Sequence, residues 1–346
     1  MEKRLFQEDI AVSKPYRAGY LASVQGYVES ERAKAMARRD AFMPPEKLAE
    51  AREDYRRQFC EMLGRPLSEY ASYRDAPVKE LEKTYVGEDD ESEIYRLRLL
   101  VTEGYEMYGV LFLPRGGVTA DTPFLFSQHG NLGTPEYCSD FCGGSNYNRM
   151  TRRLTERGAV VFAPQLLMWN MEAYGDPFDR RKLDSDLKQV GSSMTALEVF
   201  GLMRCLDYFV TQPYCNPDHI GMIGLSYGGF FTLMTAAADP RIRSAYASCS
   251  FVDMLHFNWS DWTWKNSANT FLGAEIAALI APRAIAFDAG DRDAILGSES
   301  TKKEYARAKT YFEAQGVGDH IFLKTFDGPH ELDAADDGMD FLFAHL

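Results

Sequence analysis

The sequence lacks long hydrophobic runs, has few cysteines and is short of positive charge. No segment is apolar enough to predict a membrane span, and residues 1–10 lack the apolar core of a signal peptide, so a cytoplasmic location is expected. Six cysteines in 346 residues, none in a C-x-x-C pair, favour reduced buried thiols over a disulfide framework or a zinc site. The formal net charge of −13 argues against nucleic acid, membrane surfaces and polyanionic substrates as partners.

The pattern along the chain predicts two parts. Residues 1–85 are expected to form a helical N-terminal extension that packs on the core, with a helix start at Pro44-Pro45 and a stop at Gly64. Residues 86–346 begin with an antiparallel strand pair, after which strands and helices alternate. This alternation predicts an α/β fold whose mostly parallel central sheet is covered by helices on both faces.

A G-x-S-x-G pentapeptide centred on Ser226 carries the strongest chemical signal. An apolar strand is predicted just before it, over residues 219–225, and a buried helix just after it, over residues 230–237. The glycines on either side of the serine permit a tight turn, and the helix directs its positive end at the site. The sequence therefore predicts a serine nucleophile at a strand-to-helix turn.

The partners of such a serine follow it in chain order, with the acid before the histidine. Residues 282–293 predict a strand that ends in a glycine turn rich in carboxylates, and Asp293, just past the turn, is the predicted acid. Asp291 in the turn ranks behind it, and Asp253, after the preceding strand, is a further alternative. The last predicted strand leads into a Gly-Pro turn that presents His330, the predicted base.

Acyl transfer also requires two N–H groups that bind the developing oxyanion. One is expected from Tyr227, the residue after the nucleophile. The other is expected from Asn131, in the turn that follows a predicted strand over residues 122–128. Gly130 and His129 are both expected in the substrate-binding region. Gly130 would permit a close approach to substrate, whereas His129 is expected to hold the loop rather than to catalyse.

Several segments together resemble serine esterases of the α/β-hydrolase superfamily, in the branch of dienelactone-hydrolase-like and acetyl-xylan-esterase-like proteins. They are Ser127-Gln128-His129-Gly130, residues 206–221, the turn around Ser226, Asp239-Pro240-Arg241-Ile242, Ile280-Ala281-Pro282-Arg283 and Gly328-Pro329-His330-Glu331. The resemblance spans about residues 90–346 and implies an esterase activity. Ser226 stands where dienelactone hydrolases have cysteine, so their lactone chemistry is not implied. The loop over residues 164–170 lacks the Arg-Gly common in xylan-acetyl esterases, which argues against an acetylated sugar.

Two aromatic loops follow strand ends, where ligands bind in open α/β sheets. Trp169 follows the fourth core strand; His256, Trp259, Trp262 and Trp264 follow the sixth. These side chains are candidates for a substrate-binding wall or small cap. The alternative, an aromatic patch that packs on the N-terminal helices or on a partner subunit, stays open.

The remaining carboxylate clusters do not predict a metal site. The charged segment over residues 176–186 is expected to be a mobile surface flap, and its carboxylates do not match a calcium loop. The aspartates between residues 288 and 293 also lack EF-hand spacing. We therefore expect neither a metal nor a cofactor.

The predicted function is hydrolysis of carboxylic esters with short acyl chains through an acyl-enzyme on Ser226. Acetylated carbohydrate is left open as a substrate, although the missing Arg-Gly argues against it. The expected partner is a small-molecule ester, and association of identical chains is left open. A serine peptidase of the same fold, an acyltransferase, and a ligand-sensing protein with little turnover are the alternatives.

Overall fold

The structure, a computed structural model, describes residues 3–257 and 259–346, and the side chain of His256 lies outside the described part. The strands are β1 (Lys79–Glu88), β2 (Ser92–Thr102), β3 (Tyr105–Pro114), β4 (Phe124–Gln128), β5 (Val160–Pro164), β6 (Ile220–Leu225), β7 (Ser244–Ser248), β8 (Ala284–Gly290) and β9 (Ile321–Phe326). The helices are α1 (Lys14–Phe42), α2 (Leu48–Leu63), α3 (Pro135–Cys138), α4 (Met150–Thr155), α5 (Met171–Tyr174), α6 (Arg180–Gln189), α7 (Met194–Phe209), α8 (Tyr227–Ala238), α9 (Gly273–Ala278), α10 (Ser298–Ala314) and α11 (Asp337–Ala344).

In the described part of the chain, nine strands form one sheet in the order β1-β2-β3-β5-β4-β6-β7-β8-β9. The first three strands and the β3–β5 pair are antiparallel, and every other neighbouring pair is parallel. The parallel strands β4 to β8 are buried along their whole length, as expected for strands covered on both faces. The carboxyl ends of β4, β6, β8 and β9 therefore meet at one edge.

Helices cover both faces of this sheet. On one face, α7 and α8 pack around Phe200, Phe230 and Leu233 in the larger apolar cluster. On the other, α4 and α11 contribute Leu154 and Leu342 to a second cluster. Helix α8 is apolar on nearly all sides because it is enclosed, and each buried leucine or phenylalanine contributes about 1.5–3 kcal/mol relative to an exposed one.

The N-terminal region differs in detail from the expected extension. Strand β1 pairs with β2, so the predicted boundary between residues 85 and 86 lies inside a strand of the sheet. Helix α2 packs on the core through a face that includes Leu48, Phe59 and Leu63. Helix α1 instead buries only Ala35 and Arg39, near its carboxyl end. The extension thus contacts the body through β1, through α2 and residues 67–73, and through the last turns of α1.

None of the helices in the described ranges combines the length and apolar character needed to cross a bilayer. The cytoplasmic location stays a prediction.

Candidate active site

Ser226 lies in a sharp turn between β6 and α8. Its φ of 61° and ψ of −124° are strained for a residue with a side chain, and its backbone N–H donates to Ser248 O at 2.9 Å. A Cβ atom on Gly224 would overlap the backbone of Gly228, so the chain can cross itself here only because this position is a glycine. This strained strand-to-helix turn is the backbone geometry typical of a nucleophile elbow, and it places the Ser226 side chain at the edge of the sheet.

His330 and Asp293 are in direct contact near this turn. His330 Nδ1 lies 2.7 Å from Asp293 Oδ2, while the other carboxylate oxygen accepts the N–H groups of Ile295 at 2.7 Å and Leu296 at 3.1 Å. Burial opposes ionisation of Asp293, but the hydrogen bond from His330 and those two N–H groups hold its pKa below the ordinary range. The result is an ionised carboxylate that orients the imidazole.

The other aspartates considered as the acid have different partners. Asp291 accepts a hydrogen bond from Ser298 Oγ at 2.6 Å. Asp253 accepts the N–H of Leu255 at 2.9 Å and so caps a short 3₁₀ turn. Of these three carboxylates, the structure joins Asp293 to His330.

The loop after β4 is held by buried polar groups. His129 is fully buried; its Nδ1 lies 2.8 Å from Gly130 O, and its Nε2 accepts the N–H of Leu166 at 3.0 Å. Burial lowers the pKa of His129 to about 4, so the ring is neutral. The N–H of Gly130 donates to Tyr147 Oη at 2.7 Å. His129 therefore fixes the loop from its buried side and does not face the cleft.

Gly130 and Asn131 bring this loop against the turn at Ser226. A Cβ atom on Gly130 would lie 2.6 Å from Leu225 O and 3.1 Å from Ser226 Cβ, so the contact needs glycine. Asn131, Ser226, Tyr227 and His330 all line one cleft of about 510 Å³. Among the described residues, the backbone N–H groups of Asn131 and Tyr227 have no hydrogen-bond acceptor. They are therefore free to bind an oxyanion.

The tryptophans of the loop after β7 differ in position: one lines the cleft, and two are buried beneath it. Trp259 lines the cleft and stacks on Tyr227, with ring centroids 5.5 Å apart. Trp262 is buried below it and stacks on Phe230 at 4.2 Å, and Trp264 is also buried. These two candidates for the pocket wall are therefore core residues and do not line the cleft.

The remaining aromatic-loop candidates lie elsewhere. Trp169 lies in an adjacent groove, where its ring packs on Phe178 and its Nε1 donates to Gly175 O at 3.1 Å. It does not line the cleft above Ser226. The side chain of His256 lies outside the described residues.

An ion-pair cluster beside the cleft was missed by the sequence analysis. Arg180 Nη2 lies 2.6 Å from Glu198 Oε2, and its Nε lies 2.7 Å from Asp261 Oδ2. Asp261 also accepts a hydrogen bond from Tyr227 Oη at 3.2 Å, and the Arg180 guanidinium lies over the Tyr227 ring at 5.7 Å. The cluster holds the Tyr227 side chain and, with Arg181, contributes charge to the cleft wall.

The same cluster corrects the expectation of a mobile flap over residues 176–186. Most of that segment belongs to α6, which begins with Arg180 and is fixed by it. Asp184 is fully buried and accepts the N–H of Met194 at 3.0 Å. The charges of Arg180 and Asp184 hold α6 in place, whereas the sequence pattern alone is typical of a solvated loop.

Cys249 lies close to the Asp293–His330 pair. One ligand atom from each of these three residues lies within 4.8 Å of the other two, a geometry that could hold a metal ion. Burial raises the pKa of the Cys249 thiol, whose Sγ lies 3.2 Å from Glu331 O. A protonated thiol is a poor metal ligand. That no metal is bound stays a prediction.

Comparisons with known proteins agree with this architecture. The model of the prolyl oligopeptidase family (Peptidase_S9) matches residues 191–274, which include the turn at Ser226. Among solved structures, a putative acetyl xylan esterase from Bacteroides fragilis NCTC 9343 superposes with a TM-score of 0.66 at 13% identity, covering 82% of this chain and 76% of that one. The chain has the α/β-hydrolase fold.

Two further proteins extend the comparison. The acetyl xylan esterase from Paenibacillus sp. R4 has a TM-score of 0.58 at 15% identity, covering 81% of this chain and 93% of that one. "Putative hydrolase YtaP" of Bacillus subtilis (strain 168) is 26% identical over 248 residues, or 67% of this chain and 81% of that protein. The similarity therefore extends well beyond the matched family segment.

Proposed function

We propose that this chain is a serine hydrolase that cleaves carboxylic esters through an acyl-enzyme. The observation that carries the proposal is that Ser226, His330 and two free backbone N–H groups line one cleft, with Asp293 on the far side of the imidazole. Solved structures named as esterases share the fold, which supports ester chemistry.

In this proposal, each residue has a defined role. His330 takes the proton from Ser226 as its oxygen attacks the acyl carbon, and Asp293 holds the imidazole tautomer and stabilises its charged form. The N–H groups of Tyr227 and Asn131 bind the oxyanion. His330 then protonates the leaving alcohol, and water, activated by the same histidine, releases the carboxylic acid.

The residues that line the cleft support a preference for short acyl chains. Trp259 and Tyr227 form a stacked aromatic wall, while Arg180, Arg181 and Asp261 supply charge nearby. Such a mixed surface suits a small acyl group joined to a polar alcohol better than a long apolar chain. We include acetylated carbohydrate among the candidate substrates because structural neighbours carry the name acetyl xylan esterase.

The test is hydrolysis of p-nitrophenyl esters from acetyl to dodecanoyl by the wild type, Ser226→Ala and Ser260→Ala. Ser260 lines the same cleft and serves as the matched control. We expect activity on short chains that falls by about 10⁴-fold or more in Ser226→Ala and is retained in Ser260→Ala. Equal activity of Ser226→Ala and wild type would overturn the assignment of the nucleophile.

A serine peptidase is the second candidate, favoured by the match to the prolyl oligopeptidase family over residues 191–274. The same triad would cleave an amide. Proline-containing peptide p-nitroanilides, measured beside the esters, separate the two. Turnover of the anilide at a kcat/KM above that of every ester would favour the peptidase. A stable acyl adduct without turnover would instead indicate a sensing protein.

A further inference from the structure

Leu132 follows Asn131 in the loop after β4 and has an unusual backbone for a leucine. Its φ is 63°, in the left-handed region that glycine, asparagine and aspartate adopt more readily than residues with bulky side chains. Its N–H donates to Met168 O at 2.7 Å, and it forms an isolated parallel bridge with Trp169. These contacts hold the loop in a conformation in which a leucine is strained.

Strain of this kind is concentrated at the candidate active site. Apart from Leu132, three residues of the described ranges have a positive φ and are neither glycine, asparagine nor aspartate: Arg149, Ser226 and Cys249. Ser226 is the proposed nucleophile, and Cys249 lies beside His330. Backbone strain persists where the surrounding structure imposes it, and it clusters at sites where side chains act on a ligand. The presence of a leucine at position 132 therefore requires an explanation other than backbone geometry.

The Leu132 side chain is not part of the protein interior. It is 55% exposed, and neither apolar cluster of the described residues includes it. Its burial therefore contributes little to the stability of the fold. Leu132 lines the cleft that also contains Ser226, and it lies beside Asn131, whose N–H is a proposed oxyanion donor. The apolar surface of Leu132 is thus presented to whatever enters the cleft.

The order of the strands places Leu132 and His330 on opposite sides of Ser226. Ser226 follows β6. Leu132 follows β4, the neighbour of β6 on one side, whereas His330 follows β9, beyond β7 and β8 on the other side. His330 has to reach the leaving oxygen, because it protonates the alcohol. The alcohol therefore lies toward β8 and β9, where Ile295, which is 60% exposed, also lines the cleft. The side toward β4 is left for the acyl group.

We propose that the Leu132 side chain contacts the acyl group of the substrate and sets the length of acyl chain that the cleft accepts. This inference rests on the proposed hydrolysis of esters. With the carbonyl oxygen bound by the N–H of Asn131, the neighbouring acyl carbons meet the next residue of the loop, Leu132. A branched side chain at this point leaves room for a short acyl group and excludes longer chains. The strained backbone is then a cost in stability that accompanies selectivity for the substrate.

Chain-length profiles test the proposal, with kcat/KM measured on p-nitrophenyl acetate, butanoate and octanoate. Leu132→Gly should raise the octanoate-to-acetate ratio by about tenfold or more, and Leu132→Phe should lower it, because methylene groups in an apolar contact change selectivity by such factors. Leu132→Asn, which tolerates a left-handed backbone, should act in the same direction as Leu132→Gly. Ile295→Ala, the control on the alcohol side, should leave the ratio unchanged. Thermal unfolding should show that Leu132→Gly is no less stable than the wild type, because glycine relieves the strain.

The outcomes distinguish this inference from the proposed function. A wild type that hydrolyses no ester would overturn both. If the wild type is active but Leu132→Gly and Leu132→Asn lose kcat equally on all three chain lengths, only this inference is wrong, since Leu132 would then position the N–H of Asn131 without contacting the acyl group. A changed ratio between methyl and benzyl acetate, with an unaltered acyl-chain ratio, would place Leu132 on the alcohol side and also contradict it. Marked destabilisation of both variants would do so too, because it would assign the side chain to the fold.

Discussion

His330 Nδ1 and Asp293 Oδ2 lie 2.7 Å apart, and the second oxygen of the same carboxylate accepts two backbone N–H groups. The Asp293 carboxylate is therefore fixed from both sides, and the imidazole of His330 presents its other nitrogen away from it. Because the hydrogen bonds lower the pKa of Asp293, the carboxylate stays ionised at neutral pH. The pair contributes stability at neutral pH that is lost as the pH falls through the lowered pKa of Asp293.

Asp293→Asn should lower kcat by up to about 10⁴-fold, because the amide holds the wrong imidazole tautomer while the loop geometry is preserved. The change in KM should be small. Asp253→Asn is the matched control, since Asp253 is half-buried and caps a short turn. Steady-state kinetics on a short p-nitrophenyl ester measures both variants. A large loss in Asp253→Asn with a harmless Asp293→Asn would assign the acid to Asp253.

The sheet was predictable because its strands and helices alternate over short distances in the chain. The strand-to-helix turn at Ser226 is a local pattern, and the position of His330 follows from chain order. The Arg180–Asp261 pair joins residues far apart in sequence, and the charges around Arg180 resemble those of a solvated loop. Likewise, no periodicity distinguishes Trp259, which lines the cleft, from Trp262, which is buried in a short 3₁₀ turn.

Arg180→Gln should destabilise the fold by about 3–5 kcal/mol, because it leaves the buried carboxylates of Glu198 and Asp261 without the cation that neutralises them. It should also reduce activity, since Asp261 holds the Tyr227 side chain. Arg181→Gln is the control at an exposed neighbour and should change stability by less than about 0.5 kcal/mol. Chemical denaturation measures both. Equal stability of the two variants would contradict a structural role for the ion-pair cluster.

Glu304 makes the stability of the fold depend on pH in a way that is separate from the active site. Its Oε1 accepts the N–H of Ala274 at 2.7 Å, and burial, followed by the charge of Glu275, raises the pKa of Glu304 to about 7. The folded state therefore binds this proton more tightly than the unfolded state. The associated stability is fully present below the ordinary glutamate pKa of about 4.3 and is lost as the pH rises through about 7.

Glu304→Gln should remove this dependence, because glutamine keeps the acceptor for Ala274 and carries no charge. We expect the variant to be more stable than the wild type by on the order of 3 kcal/mol at pH 8 and by less than about 1 kcal/mol at pH 5. Denaturant unfolding at both pH values measures the difference. Glu299→Gln, exposed on the same helix, is the control. A difference that is the same at both pH values would contradict the raised pKa.

The contact between Gly130 and the nucleophile turn predicts a variant that loses catalysis while it stays folded. In Gly130→Ala the new methyl group would lie 2.6 Å from Leu225 O, so the loop must move and take the N–H of Asn131 with it. Loss of one oxyanion donor costs about 10²–10³-fold in kcat. Gly144→Ala, whose methyl group would meet nothing within 4 Å, should keep wild-type kinetics.

Kinetics on a short ester, with thermal unfolding as the check on folding, measure this pair of variants. A folded Gly130→Ala with a lower kcat and a nearly unchanged KM is the result expected of a donor that acts only in the transition state. If kcat were unchanged, the second donor would have to come from another group in the cleft. The Asn131 side chain, which lines the same cleft, would then be the next to replace. Loss of activity in Asn131→Ala alone would indicate that the side-chain amide, rather than the backbone N–H, binds the oxyanion.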